Sequence, residues 1–455
     1  MRKLNKEQTD ASKPEYGVTL VIAGAGTGKT STMITKIGNV ISDSLAKPEE
    51  ILILTFSRKA AEEIRERLIS ELGKGAEPGF AGTFHSFSLK LLMENREYYF
   101  KHMGIKLFPS VMEDEKKDII IRGIIMEKPE RFLGLPASSV MKLSENIDYL
   151  DKYTLTKLKS CTLYDEIVNV KKIYSDYKRE NSLIEFEDMI EHSIELLEAS
   201  ADLREKITGR YKYLFVDEFQ DTSENNFHFL SLLLPENGKN LFMVGDDYQS
   251  IYKFRHSRVE YIINIKKYFP EVKIHKLTMN YRSRKEIVAL ANKFIKLNRF
   301  RTSKKIVSNK GRGGRVKYHR ADDMSNEADI ITRIISSINN NSIDNNSNEN
   351  NLSIAIIYRN NYQGEFLKER IICSQNKKIE FMTMHASKGL EFDIVIIAGI
   401  SDKIIPDRST DIEEERRLFY VALTRAKEEL HLIFYENNPD RLPQFIKELG
   451  YRKKH

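Results

Sequence analysis

Short apolar runs and stretches of helical period alternate along most of this chain, and the places where the alternation stops mark its organisation. Residues 18–22 and 51–55 are apolar almost without interruption, and residues 30–41 between them recur at helical spacing. Runs of this kind predict strands buried on both faces, as in a parallel sheet covered by helices. The pattern resumes at Leu214-Phe215-Val216 and Leu241-Phe242-Met243-Val244. Residues 96–206 differ: they are rich in Lys, Glu, Leu and Ile and poor in strand signals, which predicts a helical insertion into an α/β domain. A second strand and helix series starts near Lys276 and continues through residues 354–358, 381–383, 394–397 and 431–434. The expected fold is α/β, with one lobe from residues 1–95 and 207–275, a helical subdomain at 96–206 and a second lobe at 276–455. Within that last lobe, residues 337–353 are dominated by Asn, Ser and Asp, a composition expected of a mobile surface loop.

The first apolar run leads into the most specific chemistry in the chain, Ala23-Gly24-Ala25-Gly26-Thr27-Gly28-Lys29-Thr30. A glycine-rich turn between a strand and a helix, ending in Lys-Thr, is a phosphate cradle. Backbone N–H groups converge on a nucleotide β-phosphate, Lys29 reaches the β and γ oxygens, and the Thr30 hydroxyl takes a place on Mg²⁺. The usual first glycine of the pattern is Ala23 here.

A length of 455 residues suits two or more domains, and 73 Lys+Arg against 66 Asp+Glu leave a net charge of +7, compatible with a polyanionic partner such as nucleic acid. Two cysteines, Cys161 and Cys373, are too few for a disulfide framework or a four-ligand zinc site, and they imply a reducing cytoplasm. No signal-like N-terminal segment and no membrane-length apolar run is present, so neither export nor membrane insertion is expected.

Leu214 to Val216 is followed by Asp217-Glu218-Phe219-Gln220-Asp221. Asp217 is expected to hold Mg²⁺, and Glu218 to polarise the water that attacks the γ-phosphate. Charge developing on the transferred phosphoryl group needs more cations than Lys29 supplies. Arg282, in Asn280-Tyr281-Arg282-Ser283, and Arg425, in Leu423-Thr424-Arg425-Ala426, are the candidates in the second lobe.

Taken in order, these motifs resemble the superfamily 1 helicases of the UvrD/Rep/PcrA group. Leu4-Asn5 with Gln8 is similar to the adenine-reading Q motif, and residues 23–30 to that family's phosphate loop. Residues 55–61 and 82–86 resemble motifs Ia and Ib, 216–222 motif II and 244–252 motif III. Residues 280–283, 383–392 and 414–426 resemble motifs IV, V and VI. The resemblance implies two RecA-like P-loop NTPase lobes that bind ATP with Mg²⁺. Under it Gln8 reads the adenine edge, Tyr281 stacks on its face, Glu391 bonds the ribose, and Gln249, Arg282 and Arg425 touch the γ-phosphate. The family's base-packing arginine after the phosphate-loop threonine is Ser31 here.

Single strands are held without sequence reading by aromatic faces under bases and by polar or basic groups on phosphates. Phe56, Phe84, Phe186 and Phe254 are the candidate faces, and Thr83, His85, Arg255 and His385 the candidate backbone contacts. Phe254 stands where the family has Trp, and the chain has no Trp. Each of the four phenylalanines also has an ordinary reading as a core aromatic, and His385 one as a buried hydrogen-bonded histidine. In the relatives a subdomain called 2B lies between the unit resembling residues 354–370 and motif V; here residues 371–380 separate them. The expectation is an ATP-dependent translocase or helicase moving 3′ to 5′ on single-stranded or tailed duplex DNA. The alternative is a DNA-sensing ATPase switch acting with a partner nuclease, as in phage defence.

Overall fold

The computed structural model describes residues 4–127, 132, 135–147, 156–159, 163–344, 352–371, 379–435 and 442–452. The chain divides into two compact units, one of Met1–Ala81, Lys212–Ser223 and Asn237–His455, the other of Gly82–Tyr211 and Glu224–Glu236.

The first unit carries both large sheets. In the six-stranded sheet the strands lie in the order Phe80–Thr83, Ile51–Thr55, Tyr213–Val216, Leu241–Gly245, Val18–Ala23, Lys273–Leu277. Every residue of Ile51–Thr55, Tyr213–Val216 and Leu241–Gly245 is buried, as the uninterrupted apolar runs require. Parallel pairing sets Leu54 beside Val216, Val216 beside Met243 and Val21 beside Val244. The C-terminal ends of these strands therefore share one edge, where open α/β sheets bind ligands. One face of the sheet packs Val21, Ile53, Phe215 and Val244 against Met33, Ile34 and Ile37 of the helix Lys29–Ser42.

The second sheet has the order Arg315–Ala321, Ala426–Tyr435, Phe392–Ile400, Ile354–Tyr358, Ile379–Thr383, all parallel. Its two faces follow the period of two in the sequence. Val395, Ile397, Leu430 and Leu432 join Phe294, Phe419 and Phe445 in one core, and Ile394, Ile396 and Ile433 join Ile331, Ile335 and Leu367 in another. Tyr248 and Ile251, which follow a strand of the first sheet, are buried in the former core.

The second unit is helical and includes Phe84–Glu94, Asp114–Met126, Leu163–Glu180, Phe186–Ala199 and Ala201–Arg210. Ile121, Val140, Ile167, Val170 and Tyr174 form one of its cores. It also holds a parallel pair of two-residue strands, Ser110–Val111 with Leu183–Ile184, which its helical period gave no sign of. This unit extends past residues 96–206 on both sides.

Two expectations for the second lobe are corrected. Lys276 belongs to Lys273–Leu277, the last strand of the first sheet, so the second series starts later. The Asn-rich stretch begins inside the helix Met324–Asp344, because Ile330, Ile331, Ile334 and Ile335 bury one face of that helix upstream. Residues 345–351 lie outside the described residues, as do Cys161 and Cys373. Among the described residues no helix is long and apolar enough to cross a membrane.

Candidate functional site

Strand Val18–Ala23 delivers the loop Gly24 to Gly28 at the C-terminal edge of the first sheet, and helix Lys29–Ser42 leaves from it. Gly28 takes the left-handed conformation, φ 84° and ψ 37°, where a side chain would be strained; its Cβ would also fall 2.5 Å from Gln8 Nε2. The helix starts with no side-chain cap and no acid in its first turn, so its positive end is left for an anion. Arrangement and chemistry both fit a phosphate chain.

Asp217 and Glu218 follow Val216 at the same edge. Lys29 Nζ lies 2.8 and 2.7 Å from the two Glu218 carboxylate oxygens. Gln220 Nε2 donates to Glu218 at 2.6 Å, and Asp217 Oδ1 accepts the Glu218 N–H at 2.9 Å. Glu218 sits at φ 50°, uncommon for a residue with a side chain and often a mark of function. Burial disfavours both carboxylates, but Lys29 and then Lys388 hold Glu218 well below the usual range. Asp217 is raised, by burial and by the charge of Glu218. Burial also opposes the Lys29 ammonium, yet Glu218, Asp217 and Asp246 outweigh it and keep its pKa above the ordinary value.

The second sheet contributes from across the cleft. Arg425 is fully buried, and its Nη2 donates to Gln249 Oε1 at 3.0 Å. Gln249 Nε2 in turn donates to Asp246 Oδ2 at 2.5 Å. Arg282 donates through Nε to Glu391 at 2.7 Å and through Nη1 to the Thr424 carbonyl at 3.2 Å. Glu391 also pairs with Lys427 at 3.2 Å. Asn280 Nδ2 and the Tyr281 N–H donate to the carbonyls of Ala25 and Gly26, at 2.6 and 2.9 Å, so the segment bearing Arg282 is fastened to the phosphate loop.

At the other end of the loop, Gln8 is 5% exposed and bonds inside the protein: Oε1 accepts from Asn5 N at 3.0 Å and Nε2 donates to the Thr27 carbonyl at 3.0 Å. Asn5 Nδ2 donates to the Tyr281 hydroxyl at 2.7 Å. Gln8, Asn5 and Tyr281 thus form one polar corner beside the loop. Ser31, partly buried, follows Thr30 in the first turn of the helix.

The candidate DNA contacts divide between the units. In the first, Phe56 stacks on Tyr252 at 4.8 Å and 22°, Phe254 is 61% exposed, and His385 meets Phe254 edge-on at 5.6 Å. The Arg255 guanidinium lies 5.8 Å from the Phe254 ring centre. Burial, then Arg359 and Lys388, press His385 down to about 4, so it is neutral at pH 7. In the helical unit, Phe186 is exposed with His85 edge-on at 6.1 Å. Phe84 is only 5% exposed and offers no open face for a base, because it begins the helix Phe84–Glu94 pointing into the core. The Thr83 hydroxyl caps that helix, exchanging bonds with Ser86.

Three further residues of the site have no role in the sequence reading. Lys388 Nζ pairs with Asp221, donates to the Gln249 carbonyl at 3.0 Å and lies 4.6 Å above the Tyr252 ring. Tyr252 touches Phe56, Phe254 and Arg255 as well. Lys304, wholly buried, pairs with Asp246 and Asp247. Lys388 and Tyr252 lay within recognised motifs; Lys304 had no such signal.

Comparison with known proteins agrees with this geometry. The UvrD/REP helicase N-terminal domain matches residues 4–270, and the UvrD-like helicase C-terminal domain matches residues 275–375 and 366–437. The chain belongs to the UvrD/REP helicase family. It is 30% identical over 380 residues to the ATP-dependent DNA helicase PcrA of Bacillus subtilis, covering 81% of this chain and 49% of that protein. It is 29% identical over 385 residues to PcrA of Staphylococcus aureus, covering 82% and 50%. A probable DNA helicase of Mycoplasma pneumoniae is 28% identical over 95% of this chain and 83% of its own length. The chain thus spans about half the length of the PcrA proteins it matches.

Proposed function

We propose that this protein is a DNA-dependent ATPase that moves 3′ to 5′ along single-stranded DNA, hydrolysing ATP between two RecA-like lobes and opening tailed duplexes. In this reading lobe 1A is the part built on the six-stranded sheet, up to its last strand Lys273–Leu277, subdomain 1B is the helical unit, and lobe 2A is the part that follows Leu277. The observation that carries it is the bond from Arg425 to Gln249, which joins the helix end of one sheet to the strand end of the other beside the phosphate loop. A γ-phosphate there would meet Lys29, Gln249, Arg282 and Arg425 together, so its loss would loosen the join between lobes.

Mg²⁺ would be held by the Thr30 hydroxyl and Asp217. It would offset charge on the β and γ oxygens. A hydroxyl and a carboxylate are hard oxygen donors, the kind of protein ligand that Mg²⁺ takes in ones and twos. Glu218 would take the proton of the attacking water, and Asn5, Gln8, Ser31 and Tyr281 would receive the adenine.

Phe56, Tyr252, Phe254, Arg255 and His385 would form the strand's platform in the first unit; within the helical unit, Phe186 and His85 would form a separate candidate contact. Polarity rests on the family likeness. A strand-displacement assay with 3′-tailed and 5′-tailed duplexes tests it: the 3′ tail should be preferred, and preference for the 5′ tail would reject the direction. The short connection in place of 2B leads us to expect duplex opening that is either unrestrained by that subdomain or dependent on a partner. Nothing in the structure favours the switch alternative.

A further inference from the structure

We infer that Lys304 is a positioning residue for ATP hydrolysis, setting the γ-phosphate contact Gln249 through the carboxylate of Asp246; this rests on the proposed role of Gln249. Lys304 Nζ lies 2.6 Å from Asp246 Oδ1 and 2.6 Å from Asp247 Oδ1, and all three side chains are wholly buried. The ammonium also sits 4.0 Å from the centre of the Tyr248 ring. Two adjacent carboxylates away from water repel each other and lose hydration, and a cation between them offsets both costs.

Asp246 is where that cation acts on the site. Its Oδ1 accepts from Lys304 and from the Tyr248 N–H at 3.1 Å, its Oδ2 accepts from Gln249 Nε2 at 2.5 Å, and its own N–H donates to Gln220 Oε1 at 2.8 Å. With Nε2 fixed on Asp246, the Gln249 amide can turn only its oxygen to Arg425. Lys304 thus fixes the carboxylate, the carboxylate fixes the amide orientation, and the amide aims at the arginine.

The backbone around Lys304 is built to hold this lysine in place. Thr302 donates to Asp247 through N at 2.7 Å and through Oγ1 at 2.6 Å, and the Tyr248 hydroxyl donates to the carbonyls of Thr302 and Lys304 at 3.0 and 3.2 Å. Two residues on, Ile306 packs so close to the phosphate loop that a Cβ on Gly24 would fall 2.2 Å from its Cδ1. Val307 and Ser308 then pair with Met279 and Asn280, the residues that lead to Tyr281 and Arg282. One short segment therefore touches the acid pair, the phosphate loop and the strand before Arg282. A buried ion pair contributes little net stability compared with apolar residues of the same volume, so stability alone does not account for an ammonium at this point.

The test compares Lys304→Met, Gln249→Ala and the double variant for kcat and KM of DNA-stimulated ATP hydrolysis, with thermal melts for folding. Misplacing a catalytic group by about 1 Å can cost about 100-fold, so Lys304→Met should lower kcat by about that factor with KM for ATP little changed. The double variant should be no slower than Gln249→Ala. Multiplying losses, or a Lys304→Met kcat equal to the parent's, would overturn the inference. Lys304→Gln, which keeps a donor, is the second variant should Lys304→Met not fold, and it is held to the same comparison. A structure of either Lys304 variant separates this inference from the role of Gln249. Both Gln249 bonds retained, to Asp246 and to Arg425, would overturn positioning whatever the kinetics; a displaced amide together with a fully active Gln249→Ala would instead fault the reading of the site.

Discussion

Replacing Arg425 with lysine keeps the charge and removes the fork, which makes it the sharpest single perturbation of the proposed cleft. The guanidinium donates to the carbonyls of Val421 at 2.9 Å and Leu390 at 3.0 Å, to Gln249 Oε1 at 3.0 Å and to Thr424 Oγ1 at 3.1 Å. Burial, reinforced by Arg282, presses its pKa down to about 9, which leaves it charged at neutral pH. An ammonium has three donors at one point on a shorter side chain, so at least one buried oxygen loses its partner, at a cost of about 1–3 kcal/mol in stability. The effect on rate should be larger. An arginine that meets transition-state charge is worth about 10³ to 10⁵ in kcat, which is about 4–7 kcal/mol at 1.36 kcal/mol per tenfold. Steady-state phosphate release at saturating single-stranded DNA, alongside a thermal melt, separates the two effects. A folded Arg425→Lys protein with kcat within about tenfold of the parent would refute a γ-phosphate role.

Other residues make independent predictions. Glu218→Gln should abolish turnover while a fluorescent ATP analogue still binds; hydrolysis at the parental rate would remove Glu218 as the base. Phe254→Ala should weaken single-stranded DNA binding by about 1–3 kcal/mol in fluorescence anisotropy without lowering the melting temperature, since the ring is 61% exposed, and unchanged affinity would remove Phe254 from the platform. Glu327 is buried, accepts from the Gly399 N–H at 2.6 Å and from the Tyr435 hydroxyl at 2.5 Å, and is pushed up to about 7 by burial against the pull of those donors. The folded protein then keeps a proton that the unfolded chain releases between about pH 4.5 and 7, so this group's contribution to stability falls as pH rises through that window, by on the order of 3 kcal/mol. Glu327→Gln should flatten that slope in urea titrations, even though the amide cannot accept both bonds as well; an unchanged slope would refute the assignment.

The strands that build the site were legible because they are buried on both faces: residues 51–55, 214–216, 241–244 and 354–358 read as continuous apolar runs and are strands. The edge strand Arg315–Ala321 was not, since Arg315, Lys317 and Arg320 are exposed along it and break the apolar signal. The Asn-rich composition at 337–344 suggested a loop, but the isoleucine face upstream carries the helix into it. Phe84 and Phe254 were both candidate stacking rings, Phe254 the better supported because it stands at the family's Trp position; it is exposed, whereas Phe84 begins a helix with its ring turned inward. Lys304 and Lys305 stand side by side in a run of basic residues, and only the fold decides that the first is buried on two aspartates and the second exposed. Local composition carries no record of a partner 58 residues away.

ATP turnover measured with and without single-stranded DNA, at equal protein and saturating nucleotide, bears most directly on the claim that one cleft between two sheets couples nucleotide to strand. Phe56, Tyr252 and Lys388 connect the proposed strand platform to Asp221 and Gln249, so DNA should raise kcat severalfold or more. Equal rates with and without DNA, from a protein that binds both, would contradict the account.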